Sequence, residues 1–271
     1  MIWIKAVREV STRIEEPFEL EYVWRHLHGL SKLDWINQMR LEISDEEMAD
    51  LKEISLRLEN HEPPQYIVGE ETFSGLKFKV DPRVLIPRPE TEELINLILN
   101  DNRMIGKQKV LDIGTGSGAI AVSLAKNRPD WDFVASDISS EALLVAKENA
   151  KVNSVKLSFV QSNVMDGIKG KFDIIVSNPP YISRQNKDEV DISVLGSEPD
   201  QALFADHDGL AAYEKIANQA PAQLTENGKI YLEIGYKQGA IVKSLFEAAF
   251  PDKKVEVFPD FSGKDRMICV R

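Results

Sequence analysis

From Val110 onward the chain alternates short apolar runs with helical segments, and this alternation constrains the fold more than any other feature. Val110-Leu111-Asp112-Ile113, Phe133-Val134-Ala135-Ser136, Leu157-Ser158-Phe159-Val160, Phe172-Asp173-Ile174-Ile175-Val176 and Lys229 to Ile234 read as strands. Val255-Glu256-Val257 and Arg266 to Val270 close the series. Between them the spacing predicts helices over Ala119 to Asn127, Glu141 to Val152 with a cap at Ser139 or Ser140, Leu210 to Leu224, and Ala240 to Phe250. Strands separated in this way by helices imply an α/β fold with a mostly parallel, doubly wound sheet. In such a sheet a ligand lies beyond the carboxyl ends of the strands, where the strand order reverses.

Two segments at strand ends carry chemistry. The first is the turn Asp112-Ile113-Gly114-Thr115-Gly116-Ser117-Gly118, whose glycines let the backbone approach a ligand closely. Asp137 ends the next strand, nineteen residues after Gly118, where a carboxylate can take both hydroxyls of a ribose. A glycine turn with such an acid suits either a dinucleotide or another ribose-bearing cofactor. The second segment is Asn178-Pro179-Pro180-Tyr181, directly after the strand that ends at Val176. The side-chain oxygen of Asn178 and the carbonyl of Pro179 can together accept both hydrogens of a planar NH2 group, leaving its nitrogen lone pair to meet an electrophile. Pro180 fixes φ and withholds a competing N–H, and Tyr181 offers a flat face for stacking. Hydride transfer has no use for an NH2 clamp, so this second segment favours methyl transfer over a dinucleotide enzyme.

Residues 1 to about 60 read as helices, with Ser44 and Glu47 forming a capping box ahead of Met48, Leu51, Ile54, Ser55 and Leu58. Tyr66-Ile67-Val68 and Leu76 to Val80, broken by Gly69, Gly75 and Pro82, read as the strands of a hairpin. Pro87-Arg88-Pro89-Glu90-Thr91-Glu92-Glu93 opens a helix, with proline and acidic residues in its first turn. The net charge of −11 and pI near 5.0 argue against a nucleic-acid partner, which a basic field would attract. The single Cys269 and the histidines His26, His28, His61 and His207 show no metal-ligand spacing, so no metal is expected. No long apolar run and no signal-type segment are present, which makes a cytoplasmic protein without a membrane partner the expectation.

Taken together, Asp112 to Gly118, Asp137 and Asn178-Pro179-Pro180-Tyr181 resemble a class I S-adenosylmethionine-dependent methyltransferase with a Rossmann-like sheet. With the helical N-terminus and Leu85-Ile86-Pro87-Arg88-Pro89-Glu90-Thr91-Glu92, the chain is similar more narrowly to the HemK/PrmC family of peptide-chain release-factor glutamine methyltransferases. Ser197-Glu198-Pro199-Asp200-Gln201-Ala202-Leu203, Glu233-Ile234-Gly235 and Asp260 to Arg266 agree with that pattern. The resemblance implies three parts: a helical substrate-docking domain over 1–64, a β-hairpin linker over 65–87, and a methyltransferase domain over 88–271. It implies methylation of the side-chain amide nitrogen (N5) of glutamine in the Gly-Gly-Gln motif of class I release factors, giving S-adenosylhomocysteine. Cofactor binding would fall to Asp112, Gly114, Thr115, Gly116, Ser117, Gly118, Asp137, Asn163 and Asn178. Substrate binding would fall to Asn178, Pro179, Pro180 and Tyr181, with Asn178 and Pro179 catalytic. The family pattern often has Asp and an aromatic residue where Asn163 and Val164 stand, so an aromatic stack on adenine is missing here. A ribosomal-protein glutamine, or the exocyclic amine of adenine in nucleic acid, would suit the same clamp. A non-catalytic adaptor that merely binds the cofactor is the reading from another class.

Overall fold

A computed structural model describes residues 1–271, the side chain of Glu189 excepted. The chain forms two compact units, one of Met1–Glu70 with Asp191–Ser197, the other of Glu71–Val190 with Glu198–Arg271. The first unit holds helices α1 (Trp3–Val10), α2 (Phe18–Leu27), α3 (Lys32–Gln38), α4 (Asp45–Glu59) and α5 (Pro64–Val68). Ser44 caps α4 in the expected reciprocal arrangement with Glu47. Its core is built around Trp3, whose ring meets Trp24 and Trp35 edge-on at centroid distances of 4.8 and 6.0 Å. Tyr66-Ile67-Val68 is helix and not strand. Pro64 occupies the first helical turn and Gly69, at φ 81°, caps the end in the left-handed region, so both turn signals belong to a helix. The hairpin that follows is β1 (Glu70–Phe73) and β2 (Leu76–Lys79).

The second unit is built on a seven-stranded sheet flanked by helices. After α6 (Pro89–Asp101) the chain runs through β3 (Lys109–Ile113), α7 (Ala119–Asn127), β4 (Asp132–Asp137), α8 (Ser140–Val152), β5 (Ser158–Gln161) and β6 (Phe172–Ser177). Short pieces follow: β7 (Ile182–Ser183), α9 (Asp200–Leu203), β8 (Phe204–Ala205) and α10 (Asp206–Gly209). Then come α11 (Ala211–Gln223), β9 (Leu224–Glu233), α12 (Gly239–Ala249), β10 (Val255–Pro259) and β11 (Asp265–Val270). The order across the sheet is β10-β11-β9-β6-β3-β4-β5, with β11 antiparallel to both its neighbours and β5, β4, β3, β6 and β9 parallel.

Alternation of side chains explains the layers. Leu111, Ile113, Ile175, Ile230 and Leu232 face Tyr213, Ile216, Val242 and Phe246 of α11 and α12. Val110, Ile174, Val176 and Tyr231 face the other way, onto Leu94, Ile95 and Ile98 of α6 and Ile120 and Leu124 of α7. From β3 the chain builds outward through β4 and β5, then returns to the opposite side of β3 with β6. The order therefore reverses between β3 and β6, and the crevice above their carboxyl ends is the ligand position of this topology.

Candidate active site

Registry brings the two sequence segments together. Ile113 pairs with Ser177, and the Ser177 hydroxyl donates to the Ile113 carbonyl at 2.7 Å, so the glycine turn and Asn178 leave adjacent strands at one level. Between them opens a cavity of about 490 Å³. Gly114, Thr115, Gly116, Ser117, Asp137, Asn163, Asn178, Pro179 and Pro180 all line it, as do Thr91, Ile138 and Ala142. Asp112, Gly118 and Tyr181 do not.

Those three act behind the wall. Asp112 is buried under the turn and its Oδ2 accepts the Thr115 hydroxyl at 2.6 Å; burial pushes its carboxyl up to about 7. Gly118 has φ 84°, and a Cβ there would stand 3.3 Å from that of Ala146, so the residue lets α7 and α8 approach. The Tyr181 hydroxyl reaches toward Glu233 at 3.5 Å, and the Gln238 amide donates to the Tyr181 carbonyl at 3.0 Å. The flat face expected to stack on a substrate is thus not on the cavity wall.

The turn and Asp137 form one hydrogen-bonded piece. Asp137 is 8% exposed, its Oδ2 accepts the Gly116 N–H at 2.9 Å and its Oδ1 accepts the Ser139 N–H at 2.9 Å. Burial raises its carboxyl above the usual range. The Gly116 N–H, which a phosphate-binding turn would offer to an anion, is given to this carboxylate instead. Each Asp137 oxygen keeps a second lone pair, which suits a ribose diol. Ile138, Ala142 and Val164 add apolar side chains to the cavity lining, with Asn163 among them, a surface that suits a flat base. These residues fit an adenosyl group that carries no phosphate better than a pyrophosphate.

On the opposite wall Asn178 Nδ2 donates to Thr91 Oγ1 at 3.2 Å, and Thr91 Oγ1 donates to Glu233 Oε2 at 2.6 Å. Among the described residues no donor reaches Asn178 Oδ1 or the Pro179 carbonyl. Arg88 also lines the cavity and pairs with the buried Glu198, whose other oxygen accepts the Ile86 N–H at 3.3 Å. Thr91, Glu233, Arg88 and Glu198 were visible in the sequence only as members of the segments that carry the family resemblance. No spacing rule joins Thr91 to a carboxylate 142 residues away.

A doubly wound sheet of this order, with the glycine turn, Asp137 and Asn178 gathered on one crevice at its carboxyl edge, is the arrangement of a Rossmann-like methyltransferase. Residues 91–196 match the family model described as methyltransferase small domain, and residues 4–69 match the PrmC N-terminal domain. The chain is 59% identical to the release factor glutamine methyltransferase of Lactococcus lactis over all of both proteins. To the enzyme of that name from Streptococcus pneumoniae it is 52% identical over 97% of this chain and 94% of that one. A methyltransferase from Pyrococcus furiosus shares the fold, with a TM-score of 0.55 at 21% identity, covering 72% of this chain and 88% of that one. The chain belongs to the release factor glutamine methyltransferase family, and S-adenosylmethionine is its methyl donor.

Proposed function

We infer that this chain methylates the side-chain amide nitrogen of the glutamine in the Gly-Gly-Gln motif of class I release factors. One observation carries the inference: two carbonyl acceptors, Asn178 Oδ1 and the Pro179 oxygen, stand free on the cavity wall opposite the ribose-accepting Asp137. S-adenosylmethionine supplies an electrophilic methyl on a sulfonium. The chain's own contribution is positioning. A carboxamide nitrogen is a weak nucleophile because its lone pair is delocalised into the carbonyl. Asn178 and Pro179 hold its two hydrogens, which turns the lone pair toward the cavity and fixes the approach. The same acceptors stabilise positive charge as it grows on nitrogen, an effect largest in the transition state. No side-chain base lies in the clamp, and the excess proton leaves late, to water.

Asp137 and the turn Gly114 to Ser117 are the residues we assign to the cofactor, with Asn163 toward the adenine. The helical unit over the first 70 residues is the docking module for the protein substrate. Among the described residues no helix is long and apolar enough to cross a membrane, and the acidic chain suits a cytoplasmic protein partner and not nucleic acid. Incubation with methyl-labelled cofactor and a class I release factor should label one residue, located by mass spectrometry at the Gly-Gly-Gln glutamine. Label that persists on a Gln-to-Ala release factor, or appears instead on ribosomal protein or DNA, would reassign the substrate.

A further inference from the structure

Glu233 does not line the cavity, yet it stands one side chain behind it. It ends β9, is 2% exposed, and accepts the hydroxyl of Thr91, itself 4% exposed in the first turn of α6. A threonine hydroxyl carries a single proton. Given to a carboxylate, that proton leaves only lone pairs to face Asn178, so the Asn178 amide must turn its NH2 toward Thr91 and its oxygen toward the cavity. We propose that Glu233, acting through Thr91, is the positioning residue that decides which way the Asn178 amide points. The proposal rests on the reading of Asn178 as the acceptor for the substrate NH2. The two amide orientations are nearly isosteric, and only one is useful: inverted, Asn178 would set an NH2 against the substrate NH2, donor against donor. The neighbouring proline carbonyl cannot invert, so the relay governs the one rotatable half of the clamp.

The groups around Glu233 leave its protonation open to control. Tyr181 faces Oε1 from the clamp loop, and Arg266 approaches from β11, where it is held by Asp260 at 3.2 Å. Glu90 lies on the side of α6, and the Tyr213 hydroxyl of α11 donates to the Glu233 backbone carbonyl at 2.9 Å. Burial pushes the Glu233 carboxyl up to about 7, against the lowering pull of Thr91 and Arg266. A protonated Glu233 can donate to Thr91, which frees the Thr91 proton to go to Asn178 Oδ1 and favours the inverted amide. The productive form therefore requires the ionised acid, and methyl transfer falls as the pH drops through about 7.

Three variants test this with release factor as substrate. Thr91→Val keeps the shape but removes the relay; kcat should fall about 10-fold or more while cofactor affinity stays within about 3-fold of wild type. Thr91→Ser, which keeps the hydroxyl, should recover most of that loss. Glu233→Gln should lose the acid limb near pH 7 that wild type shows in kcat/KM. Asp112 also titrates near 7, so only the disappearance of the limb in Glu233→Gln assigns it. Asn178→Ala serves as the reference. If it is slow while Thr91→Val turns over like wild type, the relay is wrong and the clamp stands. If Asn178→Ala is as fast as wild type, the clamp itself is wrong. Should Thr91→Val fail to fold, an acid limb unchanged in Glu233→Gln overturns the proposal by itself.

Discussion

Replacing Asp137 by Asn probes the cofactor half of the site at a single pair of atoms. Each carboxylate oxygen already accepts one backbone N–H, from Gly116 and from Ser139, both at 2.9 Å. Two lone pairs remain, and a ribose diol would fill them with charge-assisted hydrogen bonds of about 1.5–3 kcal/mol each. In Asp137→Asn one oxygen becomes an NH2 that meets a backbone donor whichever way the amide is turned. One ribose bond is lost outright, and the other drops from charged to neutral strength. The sum is about 2–4 kcal/mol, on the order of 30- to 1,000-fold weaker binding at about 1.4 kcal/mol per decade. Isothermal titration with S-adenosylmethionine and with S-adenosylhomocysteine measures it, with near-ultraviolet circular dichroism confirming that the sheet is intact. An affinity within about 3-fold of wild type in a folded variant would refute the assignment of Asp137 to the ribose.

Three further substitutions follow from the packing. Asp112 is buried and titrates near 7 in place of an ordinary 3.8, so the folded protein keeps a proton that the unfolded chain has released. Stability is consequently lost as the pH rises from about 4 to about 7, by on the order of 4 kcal/mol from this group, and Asp112→Asn should melt progressively higher than wild type between pH 5 and pH 8. A melting difference independent of pH would contradict that. Arg88→Ala leaves the buried Glu198 without its cation, and urea unfolding should show a loss of about 2–4 kcal/mol, somewhat relieved where Glu198 takes up a proton. Gly209→Ala would bring a Cβ within 2.2 Å of the Tyr181 carbonyl at a φ of 85°, so the clamp loop must move; methyl transfer should fall on the order of 10-fold or more with cofactor affinity kept, as single-turnover assays can show.

The elements legible in the sequence were those whose signal is local. β3 and β6 are buried on both faces and announce themselves as apolar runs, and the caps Ser44 and Ser139 sit at helix starts as their side-chain chemistry requires. Tyr66-Ile67-Val68 misled because its residues favour strands, while Pro64 and Gly69 on either side decide for a helix. β9 begins at Leu224, five residues before the expected Lys229, because its pairing with β6 shifts register and carries Thr225 to Gly228 as an irregular stretch. That Asn178, Pro179 and Asp137 sit at the carboxyl edge of the sheet was readable because each lies at or next to the end of its own strand. The relay from Asn178 through Thr91 to Glu233 was not, since its members come from the loop after β6, from α6 and from β9 and meet only when the sheet is assembled.

The central claim is that Asn178 Oδ1 holds a hydrogen of the reacting amide. Its most direct measurement is the single-turnover rate of methyl transfer to release factor by Asn178→Ala at saturating cofactor. The account predicts a rate lower by on the order of 100-fold or more with binding of S-adenosylmethionine unchanged. A rate equal to that of wild type would contradict it.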